Sequence, residues 1–202
     1  MFYRPGLDPH GLPHNPFKAL VAPRPIGWIS SLDAEGRPNL APYSFFNAFS
    51  DSPPTVGYAS NGAKAGGTER KDTLANIRAT GEFVVNIVSH ALRDAMNATS
   101  APLPAGEDEF ARAGLTPLAS RTVAPPRVGE APAALECRLW RIVELPGEDN
   151  ALVIGEVTGV HIDEAVLREG QVDVTLYKPL ARLGYRDYSA VGEVFPLTRP
   201  TR

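Results

Sequence analysis

The chain has little of what most often announces a function. A single cysteine, Cys137, stands in 202 residues, so an intrachain disulfide is excluded and a thiolate-rich zinc cage is not expected. The four histidines, at 10, 14, 90 and 161, are scattered with no carboxylate cluster beside them, and no metal site is expected. Neither sign of charge dominates: 20 Lys and Arg face 23 Asp and Glu, a formal charge of −3. That balance gives no electrostatic case for nucleic acid or an anionic membrane. No run approaches the length of a membrane span. The amino terminus, MFYRPGLDPHGLPHNP, lacks both a charged n-region and an apolar h-region, so no signal peptide is expected and a cytoplasmic location is the default. Walker loops, GxSxG elbows and a GxGxxG after a strand are also missing.

What is abundant is turn chemistry. Twenty prolines and eighteen glycines fall between apolar runs rather than in a repeat, which suits a loop-rich β architecture in one domain over residues 1–202. Residues 1–18 read as an arm over the body. IGWISSL, DAEGRP and Asn39 to Phe49 read as a hairpin whose second strand returns antiparallel to the first. TVGYAS follows as a third strand, entered through Pro53 and Pro54. Lys71 to Thr80 reads as a short helix with Asp72 as N-cap, Leu74 and Ile77 on its buried face, and Gly81 just past its end. FVVNIV is a strand, HALRDAMNATS is helix-like, and a short helix is expected around Asp108 to Ala113. A second hairpin joins a strand from about Ala134 to the run Ala151 to Ile162. Six hairpin-connected strands with few short helices argue for a mainly β, antiparallel barrel and against βαβ units. Residues 180–202 read as an extension that packs on the barrel or on a second subunit.

Three features bear on chemistry. The stretch NLAPYSFFNAFSDSPP strings Tyr43, Ser44, Phe45, Phe46 and Asn47 together without alternation, whereas a half-buried strand alternates with period two. An aromatic core strand ending in a proline turn is one reading; a strand facing a flat, polar-edged ligand is the other. The segment TERKDTLANI sets Arg70, Lys71 and Thr73 around a helix start after a glycine-containing loop. Such a start favours an anion, with Asp72 opposing it unless it caps the helix; an ordinary solvated helix end is the alternative. Finally, ALVIGEVTGVHI places Val153, Gly155, Val157, Gly159 and His161 on one nominal face. Two glycines there imply a bulge, a tight bend or a close approach by a ligand, and His161 is a candidate catalytic residue with no visible acid or base partner. With no self-sufficient catalytic constellation, any enzymatic chemistry belongs to a bound organic cofactor.

Taken in order, APRPIGWISSLDAEGRPNLAPYSFFNAFSDSPP, TVGYAS, ERKDTLANIRATGEFVVNIVS, VIGEVTGVHID and YKPLARLGYRDY resemble the flavin reductase-like family of FMN-binding split barrels. That family includes the reductase components of two-component monooxygenases and nitrilotriacetate monooxygenase component B-like proteins. The resemblance runs from about Leu20 to the carboxyl end. It implies a Greek-key split β-barrel that forms a homodimer and binds FMN near the interface. Matched to the family, Trp28, Ile29 and Ser30 with Tyr43, Ser44, Phe45, Phe46 and Asn47 would flank the isoalloxazine. Ser60, Arg70, Lys71 and Thr73 would hold the phosphate while Asp72 caps the helix, and His161 would lie near the flavin. The activity implied is hydride transfer from NADH or NADPH to flavin with no essential acid or base, and a flavin-dependent monooxygenase is the partner such a reductase would serve. A flavin-binding electron carrier without reductase turnover, and a flavin-free interaction module, are the alternative classes.

Overall fold

The computed structural model describes residues 1–63, 71–101 and 107–200. Seven strands carry the architecture: β1 Gly27–Leu32, β2 Pro38–Tyr43, β3 Phe46–Asp51, β4 Pro54–Ser60, β5 Glu82–Ile87, β6 Ala133–Glu144 and β7 Ala151–Ile162. They form one antiparallel sheet in the order β2-β1-β5-β6-β7-β4-β3. The two edge strands, β2 and β3, are consecutive in sequence and separated only by Ser44 and Phe45. A link of two residues reaches roughly 7 Å, so the edges must meet and the sheet closes on itself. At that corner the Phe45 carbonyl accepts a hydrogen bond of 2.8 Å from the Ala59 N–H of β4. Beyond it β2 and β4 form no ladder, and the barrel is split along that seam.

This corrects the expectation of one returning strand from Asn39 to Phe49. The chain changes partner in mid-run: β2 pairs with β1, whereas β3 pairs with β4 at the opposite edge of the sheet. Tyr43 through Asn47 fail to alternate because they turn a corner. Phe46 lays its ring over Gly27, where a Cβ would stand only 2.8 Å from the ring.

The strand β1 is buried on both faces, so its sequence is apolar or small throughout. Ile29 points into the barrel with Tyr58, Phe83, Leu74 and Ile77. Trp28 points the other way, into a second core with Leu40, Met96, Phe110 and Leu180, where its indole N–H donates to Thr99 Oγ1 at 2.9 Å.

Five short α-helices among the described residues fill the gaps: α1 Phe17–Leu20, α2 Asp72–Thr80, α3 Arg93–Ala98, α4 Glu109–Ala113 and α5 Val174–Tyr177. Helix α2 brings Leu74 and Ile77 into the barrel interior and ends at Gly81 with φ 73°, a left-handed cap that glycine adopts without strain. The expected N-cap is displaced by one residue. Lys71 occupies that position without a side-chain cap bond, and Asp72 is the first helical residue. The expected short helix around Asp108 to Ala113 is α4, and Asp108 caps it, accepting from the Phe110 and Ala111 N–H groups.

The long β6–β7 hairpin explains the glycine-bearing face. Gly155 makes room for Phe83, whose ring would lie 2.5 Å from a Cβ there. Between Val157 and Gly159 a register shift leaves Thr158 unpaired. An extra residue reverses the facing of the residues after it, so His161 leaves the Val153 side and joins Glu136 on the outer side of the sheet. At the carboxyl end, Leu180–Arg182 and Tyr188–Ala190 form a small sheet with Arg24–Pro25. Among the described residues no helix is long and apolar enough to cross a membrane.

Candidate functional site

The split between β2 and β4 opens into a cleft of about 670 Å³, a size suited to a small-molecule ligand. Its walls follow from local folding. The end of β2 and the corner contribute Tyr43, Ser44 and Phe45. The start of α2 contributes Lys71, Asp72 and Thr73, while α1 contributes Lys18 and α4 contributes Glu109.

Two aromatic rings and two ammonium groups dominate the cleft. Lys71 Nζ lies 5.7 Å from the Tyr43 ring centroid and donates to the Asn61 carbonyl at 2.8 Å. Lys18 Nζ lies 6.0 Å from the Phe45 ring centroid, and the Arg24 guanidinium 5.5 Å from it. Burial pushes the Lys71 pKa down, and the charge of Lys18 pushes it further. That repulsion marks a positive field which an anion would relieve. Opposing it are Asp72 and Glu109. Glu109 is buried, which raises its pKa and favours the neutral carboxyl, although the Leu40 N–H donates to it at 3.0 Å.

The polar floor is unevenly satisfied. Thr73 is buried and its Oγ1 accepts from Asn39 Nδ2 at 2.8 Å. The Tyr43 phenol is pushed up to about 12 by burial, against the hydroxyls of Thr73 and Ser60 beside it. Even so, Ser60 Oγ is buried with no hydrogen-bond partner of good geometry among the described residues, and the Tyr58 hydroxyl is in the same condition. Buried polar groups are normally paired. An orphaned hydroxyl next to a cation-lined cleft is therefore the feature most in need of a ligand.

The sequence candidates divide accordingly. Tyr43, Ser44, Phe45, Lys71, Asp72 and Thr73 come together around the cleft, with Ser60 beneath it. Trp28, Ile29 and Ser30 do not line it; all three are fully buried in the cores, and Ser30 donates to the Pro126 carbonyl. Phe46 packs on the barrel core, and Asn47 is exposed on the edge strand. Arg70 lies outside the described residues. His161 is not part of the cleft. It bonds to the carboxylate of Glu136, a fully buried side chain that also accepts from the Arg121 N–H, the Thr122 N–H and the Thr122 hydroxyl. Burial pushes the Glu136 pKa up, but the bonds from Thr122, His161 and Arg121 outweigh it and hold it at about 2.

Lys18, Asn39 and Glu109 were not anticipated as cleft residues. Asn39 carried a usable signal, since Asn39, Ala41 and Tyr43 share one phase of β2 and a polar residue in a buried phase needs a partner. Lys18 and Glu109 sit in segments without periodicity.

A family model for the flavin reductase-like domain matches residues 20–187. A protein of Aquifex aeolicus is 39% identical over 176 residues, covering 86% of this chain and 88% of its own. Among solved structures, nitrilotriacetate monooxygenase component B from Bacillus cereus is 34% identical, covers 98% of both chains and superposes with a TM-score of 0.89. The flavoredoxin of Desulfovibrio vulgaris is 28% identical, covering 88% of this chain and 91% of its own, with a TM-score of 0.76.

Proposed function

The chain belongs to the flavin reductase-like family, and from that premise we propose that the split-barrel cleft binds FMN and that the protein is an NADH- or NADPH-dependent flavin reductase. The observation that carries the reading is the pairing of an aromatic ledge, Tyr43 and Phe45, with Lys71 and Thr73 in one cleft, above the buried Ser60 hydroxyl that has no bond of good geometry among the described residues. A flat ring with an attached phosphate asks for both halves of that arrangement. Lys71 and the hydroxyls of Thr73 and Ser60 would hold the phosphate. Tyr43 and Phe45 would flank the ring.

When bound, FMN would supply the redox chemistry, accepting a hydride, two electrons with one proton, from the nicotinamide C4 of the donor. The chain's own residues bind, orient and desolvate the reactants, the role expected of a protein whose cofactor carries the difficult chemistry. His161, engaged by Glu136 outside the cleft, has no part in that step. The similarity to a monooxygenase component B favours supply of reduced flavin to a flavin-dependent oxygenase. Two copies would pair through the outer face of β3 and β6, where Phe49 and Trp140 stand 56% and 65% exposed. The similarity to a flavoredoxin favours a second reading, an FMN-binding electron carrier without appreciable turnover of the donor.

The deciding measurement is the visible spectrum of purified protein titrated with FMN, followed by anaerobic addition of NADH and NADPH. Rapid bleaching by either donor is expected and names that donor. A bound flavin that neither donor bleaches would select the carrier. Failure to bind FMN would overturn the flavin reading altogether, and a monomer by light scattering would remove the pairing.

A further inference from the structure

Among the described residues the cleft holds two ammonium groups, those of Lys71 and Lys18, and one suffices for a single phosphate. They differ in how they are placed. Lys71 is half-buried, stands beside Thr73 at the start of α2 and is tied to the Asn61 carbonyl. Lys18 is exposed and rides on α1 at the rim, over Phe45.

The position of Lys18 is built rather than incidental. Helix α1 has only four residues and no buried side chain of its own, so it would not hold a place unaided. It is fastened by Arg24, which is 6% exposed and donates from its guanidinium to the carbonyls of Lys18, Val21 and Leu183. Ala19 closes the other side: it packs so tightly on Gly184 that a Cβ there would stand 2.4 Å from the Ala19 methyl. The guanidinium that ties down the backbone of Lys18 also stands over the same Phe45 ring as the Lys18 ammonium. A buried cation is retained at a cost in desolvation, and here burial does push the Arg24 pKa down. The result is a fixed rim cation beside a ring of the cleft.

We propose that Lys18 is a specificity-determining residue for the second molecule to enter the cleft: it receives a phosphate of the nicotinamide dinucleotide donor, and Arg24 is the positioning residue that holds it there. This rests on the flavin reading of the same cleft. A ligand that arrives first occupies the deeper Lys71–Thr73 side. One that arrives afterwards meets the rim, where the exposed cation is Lys18. A lysine ammonium suits this task, because it is a point charge that engages phosphate without demanding a fixed bidentate geometry.

The test separates the two phosphates. Equilibrium binding of FMN is measured by quenching of flavin fluorescence, and binding of NAD⁺ or NADP⁺ to the FMN-loaded protein by calorimetry, alongside steady-state oxidation of the reduced donors. Lys18→Ala is expected to weaken dinucleotide binding and raise the donor KM by roughly fivefold, as for loss of one partly solvated ion pair. The FMN Kd is expected to change less than the dinucleotide Kd, since Lys18 reaches the Lys71 side only through its field, and kcat to hold. Lys18→Arg should restore most of the loss, and the donor KM of Lys18→Ala should respond less steeply to salt than that of the wild type. Arg24→Ala should raise the donor KM in the same direction, with the double variant no worse than Lys18→Ala alone, a non-additivity that a general packing defect would not produce. An FMN Kd that rises with Lys18→Ala while dinucleotide binding holds would assign Lys18 to the flavin phosphate and overturn the proposal. So would a variant indistinguishable from the wild type in both titrations. A wild-type chain that binds no FMN would overturn the flavin reading and this proposal with it, a result distinct from the other two.

Discussion

Two regions of this molecule bury polar side chains, and they handle them in opposite ways. On the outer side of β6, Glu136 is fully buried and its two carboxylate oxygens take four hydrogen bonds, from Arg121, Thr122 twice, and His161. Beneath the split of the barrel, the buried hydroxyl of Ser60 has no completed bond among the described residues, and neither has that of Tyr58 in the barrel core. A satisfied buried network fixes a fold, because each member would be costly to leave unpaired. An unsatisfied one, set beside cations and open space, is waiting for a partner. The histidine, which as a residue type suggests catalysis, belongs to the first kind; the unremarkable serine belongs to the second.

The largest effect that would test this contrast comes from Glu136. Its removal leaves the Arg121 and Thr122 N–H groups without an acceptor beneath the 120s loop, so Glu136→Ala should cost about 3 kcal/mol of stability. In a chain of this size that is a fall of roughly 10 °C in Tm, read by thermal denaturation, with the FMN Kd unaltered. The same residue sets an acid limit. Its folded pKa of about 2 lies below the ordinary 4.5. Its contribution is therefore full above pH 4.5 and is lost as pH falls towards 2. Glu136→Gln should flatten the stability profile across that window, and an unchanged profile would mean the carboxylate is not what holds the loop.

Next in size is Lys71→Ala. Loss of a charge-assisted contact of about 2 kcal/mol should weaken FMN roughly 30-fold, while the Tm without ligand stays put, since among the described residues the ammonium donates to a single carbonyl at the cleft surface. His161→Ala should do the reverse on a smaller scale, costing about 1 kcal/mol of stability and leaving anaerobic flavin reduction unchanged. A large loss of reduction rate in that variant would return His161 to the mechanism.

Part of this contrast was legible from residues alone. The barrel was readable because its strands are bounded by Pro and Gly, and the cleft's cationic side because Lys71 and Thr73 adjoin a helix start. The break at Ser44 and Phe45 was hidden: Pro42 and Ser44 are weak turn signals that a single strand also tolerates, and only closure of the sheet requires it. For the same reason Trp28, Ile29 and Ser30 looked like ligand contacts, when covering both faces of β1 makes all three core. The bulge at Thr158 was among the readings that Gly155 and Gly159 offered, but its consequence was not legible: that single unpaired residue moves His161 to the other side of the sheet.

The smallest effect discriminates most finely. Ser60→Ala removes a buried hydroxyl that lacks a completed bond, so the unliganded protein should lose nothing and could gain up to about 1 kcal/mol. If the hydroxyl is kept for a phosphate, the same change should weaken FMN severalfold, and stability and affinity would move in opposite directions. Tyr58→Phe provides the control. Its hydroxyl is equally orphaned, but the residue is buried in the barrel core with its ring against those of Tyr43 and Phe83 and does not line the cleft, so removing it should leave affinity alone. Paired thermal melts and FMN titrations of the two variants read both signs. If Ser60→Ala destabilises the free protein as a satisfied hydroxyl would, the contrast between the two regions fails at its most sensitive point.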